Sequence, residues 1–155
     1  MDTQKELREH LLELLKGGSA HITLETVLNE FPVDQINTRL ENAPHTAWEL
    51  LEHFRLAQHD IVEFSYNADH ESPEFPDGYW NKKAATADDW VESCKQILKD
   101  LQTMRDIIAD EKTDLLASIP HGDGQTVLRE ALLIADHNAY HLGQIAFLMR
   151  ILEKK

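Results

Sequence analysis

Leu132-Leu-Ile-Ala-Asp-His-Asn-Ala-Tyr-His-Leu-Gly-Gln-Ile-Ala-Phe-Leu-Met149 is the stretch whose reading decides the fold. Its apolar residues recur at helical spacing without a break, which marks a helix with a wide buried face. Two histidines interrupt that face, His137 and His141. Four residues apart on a helix, their side chains share one side, with Cβ atoms about 5–6 Å apart. At roughly 100° per residue, His141 falls about 40° from His137, and Ala135, Leu142, Ala146 and Met149 continue the apolar arc. The pair therefore lies at the edge of the buried face, with Gln144 and Glu130 on the same polar side.

Working outward, the pattern predicts three more long helices. Residues 3–16 carry Leu7, Leu11, Leu14 and Leu15 at helical spacing and stop at Gly17-Gly18. Residues 46–66 begin with Thr46 and Glu49, the spacing of a capping box, and present Leu50, Leu51, Phe54, Ala57, Ile61 and Phe64 on one face. Residues 87–109 place Trp90, Val91, Cys94, Ile97, Leu98, Leu101, Met104 and Ile108 inside. The fourth long helix spans about 125–152. A short helix is expected over 22–30, stopped by Pro32, with one or two further turns in 33–40. A short segment over 114–119 ends at Pro120, before the turn His121-Gly-Asp-Gly124. No alternating run signals a strand. The expected fold is all-α, a four-helix bundle.

Residues 67–85 form a long connection with two prolines, a glycine and three aromatics, Phe75, Tyr79 and Trp80. Loops of this length without structure of their own are uncommon and often functional. The plainer reading is a crossover strap that these aromatics pin to the body.

The whole chain, 155 residues with 42% hydrophobic and 28% charged content, suits one globular domain over residues 1–155. Its net charge of −13, with Lys and Arg scattered, argues against nucleic acid as a partner. No run is apolar enough for a membrane span, and the N-terminus lacks the pattern of a signal peptide, so a cytoplasmic location is expected. The lone cysteine, Cys94, reads as a partly buried, inert thiol.

His53 lies at the edge of the apolar face of the 46–66 helix, the same kind of position as the pair. If these two helices are neighbours, three imidazoles meet. Imidazole suits Zn, Ni, Fe and Cu, and three protein ligands leave coordination positions open, as in catalytic sites. The alternative is three core histidines that satisfy hydrogen bonds. His10 and His21 read as surface residues; His45, which precedes the Thr46 cap, is placed first on the surface, with the mouth of the site as the alternative. His59 points away from His53, His70 sits in the long connection, and His121 is a candidate for the site entrance.

Trp48-Glu-Leu-Leu-Glu-His-Phe-Arg-Leu-Ala-Gln58 and Ala135-Asp-His-Asn-Ala-Tyr-His-Leu-Gly-Gln-Ile145 resemble the DinB/YfiT-like superfamily. The segments Ser72-Pro-Glu-Phe-Pro-Asp-Gly-Tyr-Trp80 and Pro120-His-Gly-Asp-Gly-Gln-Thr-Val-Leu-Arg-Glu130 look like one branch of it. The resemblance implies an up-down-down-up four-helix bundle with a metal-binding triad at one end, here His53, His137 and His141. Better-understood relatives are metal-dependent thiol S-transferases and maleylpyruvate isomerases, some carry hydrolase labels, and many are homodimers. The function expected first is therefore transfer of a low-molecular-weight thiol to a small electrophile, with a divalent Zn, Ni or Fe ion as cofactor. Metal-assisted hydrolysis and a non-catalytic metal-binding or stress-response role use the same residues. Arg55 and Arg129 are the expected contacts for an anionic thiol. Glu49, Asp60, Glu130 and Tyr140 lie near the right faces for a general base, and none stands out.

Overall fold

The computed structural model describes residues 3–153. Among these lie five α-helices: α1 (Thr3–Lys16), α2 (Leu24–Glu30), α3 (Ala47–Tyr66), α4 (Ala87–Ala109) and α5 (Val127–Leu152). No strand occurs among the described residues, only an isolated bridge between Ser118 and Thr126. The fold is all-helical, as the periodicity requires.

Threonine sets most helix starts. Thr46 and Thr86 each form a full capping box, with Glu49 and Asp89 respectively, and Thr23 and Thr126 cap α2 and α5. A capping residue has extended backbone and stands outside its helix. That is why α2 and α5 begin about two residues later than the apolar pattern suggests. Gly17 and Gly18 have positive φ, the left-handed conformation that ends α1. Residues 33–40 hold one further turn, the 3₁₀ turn Val33–Gln35. In the short 114–119 segment, Leu115 and Ile119 enter the core as separate anchors, and their backbone groups pair with Leu128 and Gln125.

α3 packs against both α4 and α5, and α1 closes the ring by packing on the other side of the same two helices. The core between them contains Phe54, Leu51, Trp90, Ile97, Met104, Ile108, Ile134 and Ile145. Val91 was expected inside but is 44% exposed, because the neighbouring Trp90 takes the core position.

Three contacts give the relative direction of α3 and α4. Ser93 donates to Glu52, Gln58 donates to the Ile97 carbonyl, and His59 meets Asp100. The numbers rise together along both helices, so α3 and α4 run parallel. A connection between parallel neighbours must travel back the whole length of the first helix, about 30 Å for the 20 residues of α3. The 67–86 segment does this. His70 meets Asp60, the Tyr79 carbonyl meets His53, Asn81 donates to Glu52, and Trp48 donates to the Lys83 carbonyl. It is a crossover strap laid along α3.

At the far end, Arg8 of α1 donates to the carbonyls of Ile108, Asp110 and Thr113, and Arg105 of α4 donates to Leu15. Each helix thus supplies a cation to the carbonyls at the other's C-terminus, where the last turn lacks internal partners.

The Thr46 cap is buried, and its Glu49 partner also receives two hydrogen bonds from Arg39. Thr46→Ala removes one capping bond and should cost about 1 kcal/mol, a fall of roughly 2–4 °C in Tm by thermal denaturation.

Candidate metal centre

α3 and α5 bring the three predicted histidines together. His53, His137 and His141 each offer a ring nitrogen, and these atoms all lie within 4.8 Å of one another. His137 Nε2 stands 3.3 Å from His53 Nε2. Two nitrogen ligands on one tetrahedral ion, each about 2.0–2.1 Å from it, are held about 3.3–3.4 Å apart.

Two of the rings are oriented from behind. His53 Nδ1–H donates to the Tyr79 carbonyl at 3.1 Å, and His141 Nδ1–H donates to Gln144 Oε1 at 2.8 Å. A proton held on Nδ1 leaves the Nε2 lone pair free and pointed inward, the tautomer a metal requires. His137 differs, since its Nδ1 is buried without a hydrogen-bond partner among the described residues. Nothing fixes its tautomer except its two neighbours. The donor set fits a divalent transition metal: three neutral nitrogens, no thiolate, and two of three rings already oriented.

Burial lowers the pKa of His53, His137 and His141 alike. For His137, burial and the neighbouring His141 and His53 bring it down to about 4. For His53, burial outweighs the opposing bond to Tyr79, and His45 adds repulsion. For His141, burial outweighs the bond to Gln144, with His53 and His45 adding repulsion. Each ring therefore keeps its neutral, ligating form to lower pH than an ordinary histidine, His137 most of all.

Trp80 stacks on His53 with ring centres 4.1 Å apart, and His45 stacks on Trp80 at 4.2 Å. His45, expected first on the surface and alternatively at the mouth of the site, is half-buried, its Nδ1 3.7 Å from Glu49. The only hint in the sequence was its place beside the Thr46 cap. The strap serves the site directly, through the Tyr79 carbonyl and the Trp80 ring, while Phe75, expected to pin it, is exposed. Tyr79 also donates to Asp60 at 2.6 Å, and burial and that bond push its phenol up to about 12.

The other histidines lie elsewhere. His59 meets Asp100, His70 meets Asp60, and His10 and His21 are exposed. His121 is not at the entrance: it is tied to the Phe64 carbonyl, three turns along α3 from His53. Arg55 and Arg129 are not free for an anionic thiol, because each is paired with a buried carboxylate, Glu52 and Glu130. The general-base candidates are also engaged: Glu49 by Arg39 and the Thr46 cap, Asp60 by Tyr79 and His70, Glu130 by Arg129. Tyr140 is exposed, with its ring edge against His141. Cys94 is inert as expected, its thiol pushed up to about 12 by burial.

A family model for the DinB superfamily matches residues 18–145, a span that contains all three histidines. No curated protein and no solved structure matches the chain at the significance required.

The lowered histidine pKa values set the pH dependence of the metal-free protein. The unfolded chain takes up these protons near pH 6.5, whereas folded His137 resists them down to about 4. Between those values the unfolded state binds more protons, so folding stability falls as pH falls through this window. Urea midpoints at pH 7 and pH 4.5 should show the loss, and His137→Leu should reduce it.

Proposed function

We propose that this chain, which belongs to the DinB superfamily, binds a divalent transition metal through His53, His137 and His141 and uses it to transfer a low-molecular-weight thiol to a small electrophile. The observation that carries the metal assignment is the meeting of three ring nitrogens, with two of the rings aimed by a hydrogen bond from the other nitrogen, Nδ1. Zn, Ni and Fe all suit three imidazoles. In this reading the chain is a single domain, an up-down-down-up four-helix bundle with α2 appended, and a cytoplasmic homodimer.

When bound, the ion supplies a Lewis acid that stabilises a thiolate and polarises a substrate oxygen. The chain's residues do the positioning. Trp80 and the Tyr79 carbonyl hold the His53 ring in plane and in tautomer, and Gln144 does the same for His141. No protein nucleophile is required, in keeping with a Cys94 thiol that burial keeps protonated. The paired Arg55 and Arg129 favour a neutral acceptor over an anionic one.

Elemental analysis of untagged protein should find about one metal ion per chain, and near none in His141→Ala. Full occupancy in that variant would reject the triad. Gln144→Leu and Trp80→Ala should fold and bind metal about 10–100-fold more weakly, the usual effect of removing an orienting partner. Metal-loaded protein should then consume thiol only with an electrophile present; turnover of esters or amides without thiol would assign hydrolysis instead.

A further inference from the structure

An open groove of about 400 Å³ lies next to the histidines, between the C-terminal half of α5 and the segment that leads into α3. Its walls are Leu40, Pro44, Leu50, Phe147, Leu148 and Ile151. Leu50 and Leu148 belong to the buried core, so the floor is firm, whereas Phe147 is 64% exposed and forms a wall with nothing packed over it. Polar side chains are few, and two of them, His45 and Gln144, are neighbours of the metal centre. Gln144 accepts the Nδ1–H of His141, and His45 is one stacked ring, Trp80, away from His53. The volume is that of a small-molecule site.

We propose that this groove binds the apolar body of an uncharged, aryl-sized substrate and directs its polar end, past His45 and Gln144, toward the histidines. The occupant is argued from shape and charge. The walls are apolar, the polar groups named sit on the side of the reaction centre, and the charged residue in the lining is an acid, Glu41. Among the described residues no Lys or Arg lines the groove, and the whole chain carries −13. A carboxylate or phosphate on the substrate would be desolvated there without a partner, which is unfavourable. The proposal rests on the metal-centre reading for what happens at the polar end, but the binding itself does not need the metal.

The test is fluorescence titration with N-phenyl-1-naphthylamine, a neutral apolar probe. Wild type should bind it saturably, one per chain. Phe147→Glu, an exposed position where the fold tolerates a charge, should weaken binding at least about tenfold, because the new carboxylate faces the apolar wall. Leu116→Glu, at an exposed leucine away from the groove, should leave it unchanged. In competition, 1-naphthamide should displace the probe and 1-naphthoate should be at least about tenfold weaker. The ring resonances of His141 should shift on saturation with 1-naphthamide. Non-saturable binding, equal affinity in Phe147→Glu, preference for the naphthoate, or an unmoved His141 would each overturn the proposal. So would a wild-type dimer that Phe147→Glu converts to monomer, which would assign the face to a second copy. Chelator-treated wild type should keep probe affinity, so a chain that holds no metal yet binds the probe would remove the metal reading alone.

Discussion

The parallel run of α3 and α4 is the constraint on which the rest of the structure depends. Antiparallel helices can be joined by a few residues, but parallel neighbours cannot. The chain must return along α3 before α4 begins, and the strap that does so crosses the α3 face carrying His53. Glu52 is the fastening point. Burial would raise its carboxyl, but hydrogen bonds from Arg55, Ser93 and Asn81 and the Arg55 charge hold it below the ordinary value. One side chain thus ties α3, α4 and the strap together, next to His53. A buried carboxylate satisfied on both oxygens is a specific joint, because removing any partner leaves charge unsatisfied.

The same strap explains the chemistry of the histidines. An imidazole at the edge of a bundle would ordinarily be half-wet, free to rotate, and protonated near pH 6.5. Here the Tyr79 carbonyl and the Trp80 face enclose His53, while α5 holds His137 and His141 against it. Crowding three rings and drying them disfavours protonation of each. The unpartnered Nδ1 of His137 is a cost the fold carries, of order 1–3 kcal/mol for a buried polar atom.

The site and the groove divide the labour between polar and apolar surface. The acidic excess of the chain is neutralised at the buried points, where Arg39, Arg55 and Arg129 pair with Glu49, Glu52 and Glu130. No arginine remains beside the histidines to receive an anion. The apolar wall formed by Phe147 and Leu148 begins one turn beyond Gln144 on the same helix, so the residue that orients the His141 ring and the apolar face of the groove lie on consecutive turns of α5.

Much of this was legible in the sequence because helices are local. The 3.6-residue period, the threonine caps and the Gly17-Gly18 stop depend on neighbours within a few positions, and so does the face shared by His137 and His141. His53 could be matched to that pair because its own helix marked it as an edge residue. What depended on contacts far apart in the chain was not legible. Beyond its place beside the Thr46 cap, nothing local distinguishes His45, which the strap draws toward the site through Trp80, from His121, which is held at Phe64. Two local pairings, Arg55 with Glu52 and Arg129 with Glu130, took away both expected anion contacts, and only the packing decided that both carboxylates are buried. The carbonyl of Tyr79, a backbone atom with no residue signature, became the partner of His53. Periodicity determined which residues could line a metal centre. Only the packing of α3, α5 and the strap decided which of them meet, and in what protonation state, because distance and desolvation are properties of the assembled fold and not of any segment within it.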